Sequence, residues 1–262
     1  MATQPKSFAE QLRQRRREKE EEYSRVIMEP PTPTTILKSM PFPGVILIMG
    51  TRRYGKTGVA HEIGAQMHKT RGVPVMVHLP KTTPEPLRKQ IQRLLPTWAK
   101  VTTDKKEWEK NSVVIYDEAA QTAHARRTQS GDAVELDNLI GVSGQRNQLL
   151  AFISHHSKKL DPNVVREVNR IIWKRPTYAY QLFERDELSD YVMKAYEYFA
   201  DLRKGKPLTD AMKTTLRRAN LMLDMDDFSF LSFNNKLPEY WTEQLSCLFE
   251  DISKINRSAP GY

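Results

Sequence analysis

Between residues 40 and 185, short apolar runs alternate with stretches of helical periodicity. The apolar runs predict strands: GVILIMG (44–50), VPVMVHL (73–79), SVVIYDE (112–118), LLAFIS (149–154), NRIIWKR (169–175) and TYAYQLFE (177–184). Helices are predicted between them at 57–70, 84–95, about 132–140 and 162–168. The first strands are apolar on both faces, as in a parallel sheet covered by helices on both sides. Such alternation implies right-handed crossovers and an α/β layer fold. After residue 185 the pattern turns helical, with helices predicted at 186–203, 207–222 and 237–256. No internal repeat is visible.

The start of the chain reads differently. Residues 8–26 have the pattern of a charged helix with few apolar positions, and the run RQRRREKEEE suits a solvated face. Docking on a neighbouring subunit or on DNA is the alternative use of that charge. MEPPTPTT then breaks any helix, because proline fixes φ and removes a donor. The predicted organisation is an arm and linker at 1–36, an α/β core at 37–185 and a helical C-terminal region at 186–262.

The first predicted strand runs into GTRRYGKTGVA. Glycines here could serve a tight turn alone. The spacing from Gly50 to Thr57 is nevertheless G-x-x-x-x-G-K-[ST], and it stands between a strand and a helix, which is the context of a phosphate-binding loop. Backbone N–H groups at a helix start favour an anion. Gly50, Thr51, Arg52, Arg53, Tyr54, Gly55, Lys56 and Thr57 are therefore the candidate nucleotide-binding residues. Lys56 is placed to reach the β- and γ-phosphates, and Thr57 to ligate Mg²⁺.

SVVIYDE ends in two acids. In a parallel sheet, the carboxyl end of that strand faces the same crevice as the loop. Asp117 is the second Mg²⁺ candidate, and Glu118 the candidate for polarising an attacking water. Helix capping is the alternative for either acid. The residues after Asp117 are Glu118, Ala119 and Ala120, so D-x-x-G is absent. The string Asn235-Lys236-Leu237-Pro238 lacks the acid of a guanine-reading Asn-Lys-x-Asp. ATP is thus favoured over GTP, and hydrolysis over transfer to a small molecule.

Composition narrows the partners. A net charge of +9 over 262 residues, with 39% hydrophobic residues, describes a globular chain suited to an acidic partner such as nucleic acid or an anionic membrane. The single cysteine, Cys247, excludes an intrachain disulfide. No apolar run near the loop reaches membrane-spanning length, and the first residues lack the apolar core of a secretory signal. The expected setting is cytoplasmic or virion-associated, without a direct membrane span.

GTRRYGKT, VVIYDEA and GQRNQLLAFISHHSKKLD together resemble the P-loop ATPases of the FtsK/HerA superfamily, including viral genome-packaging ATPases and Zot-like proteins. The resemblance covers about residues 40–185. It implies a P-loop NTPase (RecA/FtsK-like) fold with a mainly parallel central sheet covered by helices. It also implies an oligomeric ring, often a hexamer, that hydrolyses ATP between subunits and moves DNA. Double-stranded DNA is the implied substrate, with a capsid or portal vertex as a possible docking point. A morphogenesis or secretion ATPase of the Zot type, and a nucleotide-dependent DNA-binding module without turnover, are the alternatives.

In that family a glutamine commonly ends the strand here read as LLAFIS. This chain has Ser154, His155 and His156 instead, and a histidine can donate the same hydrogen bond to a γ-phosphate. His155 is the candidate sensor; a histidine merely hydrogen-bonded in the crevice is the bland alternative. Two adjacent histidines make a poor zinc signature. The resemblance also calls for an arginine delivered across a subunit interface. Arg146 fits that place, with Arg126 and Arg127 next. Arg126, Arg127, Lys158 and Lys159 are the candidates for DNA phosphate contacts, with surface solubility as their other reading.

Overall fold

The computed structural model describes residues 37, 39–117, 131–160, 162–182 and 184–258. The predicted N-terminal helix, Glu118, Arg126 and Arg127 lie outside the described residues.

The strands are β1 (Gly44–Met49), β2 (Val75–His78), β3 (Ala99–Thr102), β4 (Val113–Tyr116), β5 (Leu149–Ile153), β6 (Arg170–Trp173), β7 (Ala219–Asp224) and β8 (Phe230–Asn234). The helices are α1 (Lys56–Arg71), α2 (Glu85–Leu94), α3 (Gly131–Gly141), α4 (Pro162–Arg166), α5 (Tyr178–Leu182), α6 (Asp186–Arg203), α7 (Asp210–Arg218) and α8 (Glu243–Ser258). Among the described residues, these eight strands form one sheet in the order β3-β2-β4-β5-β1-β6-β7-β8. The first six are parallel, and β6–β7 and β7–β8 pair antiparallel.

Successive side chains of a strand point to opposite faces, so an all-apolar strand feeds two cores. On β1, Ile46 and Ile48 join α1, α2 and α8 through Val59, Ile63, Ile91, Leu245 and Phe249. Val45, Leu47 and Met49 join α3, α4 and α6 through Leu136, Val164, Leu188 and Val192. Burying one such side chain is worth about 1.5–3 kcal/mol, so the central strand is held from both sides.

The sheet order matters for the site. β5 lies between β1 and β4, with Gly44 and Val113 both level with Leu149. The carboxyl ends of β1, β4, β5 and β6 therefore open on one crevice, and their loops carry the phosphate loop, Asp117, the Ser154–His156 turn and Lys174.

Three expectations need correction. TYAYQLFE is not a strand: Tyr178–Leu182 is helical, with Tyr180 buried and Tyr178 exposed. The span 207–222 is not one helix. α7 stops at Arg218, where Ala219 turns extended (φ −67°, ψ 142°) and starts β7. The C-terminal third is accordingly not only helical, since β7 and β8 extend the sheet. The edge strand β3, four residues long, has no counterpart among the predicted strands.

Candidate active site

Gly50 has φ +133°, and a Cβ there would sit 2.1 Å from the carbonyl oxygen of Lys174. Only glycine lets β6 approach the loop so closely. Arg53 (φ 64°) and Gly55 (φ 82°) also take left-handed conformations, curling the loop back onto its own start. Gly55 caps α1 with no side-chain acceptor, and the first turn of α1 holds no acid. The helix N-terminus thus offers its backbone donors and its positive end to an anion from outside the chain.

Lys56 is nearly buried, with 8% of its surface exposed. Its Nζ donates to the carbonyl oxygens of Gly50 at 2.9 Å and Thr51 at 3.1 Å, and contacts His155 Nδ1 at 3.2 Å. Thr57 Oγ1 donates to Asp117 Oδ2 at 3.3 Å. Asp117 is itself buried, and its backbone N–H donates to the His78 carbonyl at 3.2 Å. Thr51 Oγ1 is buried in the loop with no partner among the described residues. Lys56, Thr57, Asp117 and His155, drawn from three strand ends, thus meet at one mouth. Arg52 and Arg53 are exposed, and Arg53 pairs with Glu250 of α8 at 2.9 Å.

The turn carrying His155 is held from below. Glu184, buried, accepts from the Ser157 N–H at 3.1 Å, from Ser157 Oγ and from the Arg185 N–H at 2.9 Å. Arg185 donates to the Leu160 carbonyl at 2.8 Å. The Tyr180 hydroxyl donates to the His155 carbonyl, and the His156 ring stacks on Tyr180 at 4.1 Å. Burial, and Glu184 beside it, hold the Tyr180 hydroxyl far above its ordinary range, so it acts as a donor.

Lys174 was not anticipated. It follows β6 directly, beside Gly50 and Gly55, and is completely buried. Its ammonium meets four neutral acceptors: the carbonyls of Arg217 (2.6 Å) and Ala219 (3.2 Å), Asn220 Oδ1 (2.8 Å) and Asn235 Oδ1 (2.9 Å). Burial, and then the charge of Lys56, push it down to about 7 from 10.5. The signal was present in IIWKRP, a buried strand ending in two cations at the edge where β4 ends in its acid.

The remaining candidates lie apart. Arg146 sits before β5, at the opposite end of the sheet from the loop. There its Nε donates to Gln148 Oε1 at 3.0 Å and its Nη2 to the Trp108 carbonyl. Lys158 is exposed in the 3-10 turn Ser157–Lys159.

No family model and no curated protein matches this sequence. Among solved structures, the chain is similar to the genome packaging NTPase B204 from Sulfolobus turreted icosahedral virus 2 in complex with sulfate. The TM-score is 0.50 at 13% identity, covering 74% of this chain and 98% of that one. It is also similar to B204, the DNA-packaging ATPase from Sulfolobus Turreted Icosahedral Virus (TM-score 0.49, 15% identity, 75% of this chain and 100% of that one). A third likeness is to the N-terminal domain of zonular occludens toxin from Neisseria meningitidis (TM-score 0.38, 12% identity, 76% of this chain and 96% of that one). At identities this low the likeness speaks to architecture. The chain has a P-loop NTPase fold.

Proposed function

We propose that this chain is an ATP-hydrolysing DNA translocase of the genome-packaging type, acting as a homo-oligomeric ring, a hexamer by family resemblance. The observation that carries the reading is the Thr57–Asp117 contact at the mouth of a loop whose lysine is already turned inward. A hydroxyl and a carboxylate 3.3 Å apart are hard oxygen donors suited to Mg²⁺. Bound there with ATP, Mg²⁺ would neutralise charge building on the phosphates.

The chain's own residues supply the rest. The N-terminal N–H groups of α1 cradle phosphate oxygens. Lys56 exchanges the Gly50 and Thr51 carbonyls for the β- and γ-phosphates. Glu118, next after Asp117, polarises the attacking water, and His155 senses the γ-phosphate from the end of β5. Arg146 remains the candidate for an arginine supplied by a neighbouring subunit, which requires its guanidinium to leave the Trp108 carbonyl. Arg126, Arg127, Lys158 and Lys159 are the proposed DNA phosphate contacts. The packaging-ATPase likenesses and the positive net charge support DNA as the partner.

Phosphate release from ATP, measured with and without double-stranded DNA for the parent chain and Glu118→Gln, tests the reading. Turnover that rises with DNA and collapses in the variant is expected. No turnover refutes the hydrolase, and turnover indifferent to DNA refutes the coupling.

A further inference from the structure

α6 ends at Arg203, and the chain continues through Lys204, Gly205 (φ +68°) and Lys206 before Pro207. This turn faces Arg175 and Pro176, which follow β6, across a cleft of about 510 Å³. Arg175, Arg203, Lys204 and Lys206 give its wall four cations, and Tyr196 adds a ring. No carboxylate stands among the lining residues, and none of the four cations takes part in an ion pair among the described residues. The backbone donors here are used: Lys204 N–H donates to the Asp201 carbonyl at 3.1 Å and Lys206 N–H to the Arg203 carbonyl at 2.9 Å. An anion in the cleft is thus held by side chains.

Two further observations shape the ligand. Tyr178, 60% exposed, meets Tyr196 edge-on at 5.7 Å, giving an accessible aromatic face beside the cations. Arg175, on the other wall, stacks over the ring of Tyr54 at 5.1 Å and donates to its hydroxyl. Its carbonyl accepts from Thr51 N–H at 3.4 Å. The cleft and the phosphate loop therefore share one wall. Cations without carboxylate partners beside an exposed aromatic ring are the pattern that tracks a nucleic-acid backbone and stacks its bases. The volume is that of a small-ligand pocket, room for a nucleotide-sized group.

We propose that this cleft binds the phosphodiester backbone of one nucleic-acid strand, with Tyr178 and Tyr196 as stacking faces. The proposal rests on the DNA-handling reading above but uses none of the basic residues assigned there. It places the strand against the residue pair that supports the phosphate loop.

The test is the double variant Arg203→Glu/Lys206→Glu of the full chain, both positions exposed and outside the nucleotide machinery. Binding of a labelled oligonucleotide, single-stranded and as its duplex, is followed by fluorescence anisotropy across a salt series. Circular dichroism melting and DNA-free ATP turnover should match the parent. Expected is at least a tenfold weaker single-strand affinity, with the slope of log affinity against log salt shallower by about 1.4, two contacts at about 0.7 each. If the parent binds DNA and the variant binds it equally well, the cleft assignment is overturned and the DNA reading stands. A loss confined to the duplex, with single-strand binding intact, also overturns it. If the parent binds neither form, the DNA reading itself fails and the cleft falls with it.

Discussion

Lys56 Nζ lies 3.2 Å from Nδ1 of His155, and an ammonium has only protons to give. Nδ1 must therefore be the accepting nitrogen, which fixes the proton of the neutral ring on Nε2. In this arrangement the sensor candidate and the loop lysine hold each other, and a γ-phosphate would compete for both.

His155→Asn should keep an acceptor near Nδ1 and retain a measurable fraction of ATP turnover. His155→Ala removes it together with the Nε2 donor, and kcat should fall by about 100- to 1,000-fold, the range of lost positioned donors. Steady-state kinetics on both variants checks this; equal rates for His155→Ala and the parent would remove His155 from the chemistry.

Thr57→Ala and Asp117→Asn should each raise the Mg²⁺ concentration needed for half-maximal turnover and cut activity by about 10- to 100-fold, as the loss of a group that orients a bound metal does. A Mg²⁺ titration of ATP hydrolysis reads both numbers. An unchanged Mg²⁺ requirement would leave the 3.3 Å contact a purely structural one.

Lys174 makes a prediction about pH. Its folded value, pushed to about 7, lies below its ordinary 10.5. Between these values the unfolded chain keeps a proton that the folded chain has released, so stability rises with pH across that window and is lost as pH falls through 7. Urea unfolding between pH 6.5 and 10 should show this rise in the parent and a flatter profile in Lys174→Met. Because Lys56 contributes to the shift, an anion that neutralises Lys56 should draw a proton onto Lys174. Calorimetry of ATP binding near pH 7, in buffers of different ionisation enthalpy, should show proton uptake that Lys174→Met abolishes.

His61 predicts the acid limb. It is fully buried against Tyr240, Trp241 and Phe249, and burial pushes it down to about 3 from 6.5. Its contribution is complete above 6.5 and is lost as pH falls toward 3, because the unfolded chain protonates first. His61→Phe should flatten that limb in acid unfolding monitored by circular dichroism.

Mixing Lys56→Ala with Arg146→Ala should restore part of the ATP turnover if Arg146 acts across an interface, since some interfaces then pair an intact loop with an intact arginine. If Arg146→Ala is inactive and mixing restores nothing, although mixed rings are shown to form, Arg146 acts within its own subunit or through its bonds with Gln148 and Trp108.

The core strands and the loop were legible because their signals are local. Both faces of β1, β4 and β5 are apolar, and Gly50 to Thr57 is a fixed spacing. β7 was not legible: Leu221, Met222 and Leu223 are all buried, and a run apolar on every side fits a helix as well as a strand. TYAYQLFE misled through its aromatic content, which favours strands, while Tyr180 is placed by contact with the His155 turn 25 residues earlier. The clamp by Glu184 and the four acceptors of Lys174 depend on residues 27 to 61 positions apart, and no window of sequence reveals them.

The sheet order also sets a timetable for synthesis. β1 emerges first, yet its two neighbours, β5 and β6, begin at Leu149 and Arg170. The buried lysine beside the loop then waits for Asn235 to arrive. A ribosome releasing this chain from its N-terminus leaves the nucleotide loop without both flanking strands until Trp173 has emerged, and Lys174 without its full set of acceptors until Asn235 has. The loop is therefore finished by residues made long after the loop itself.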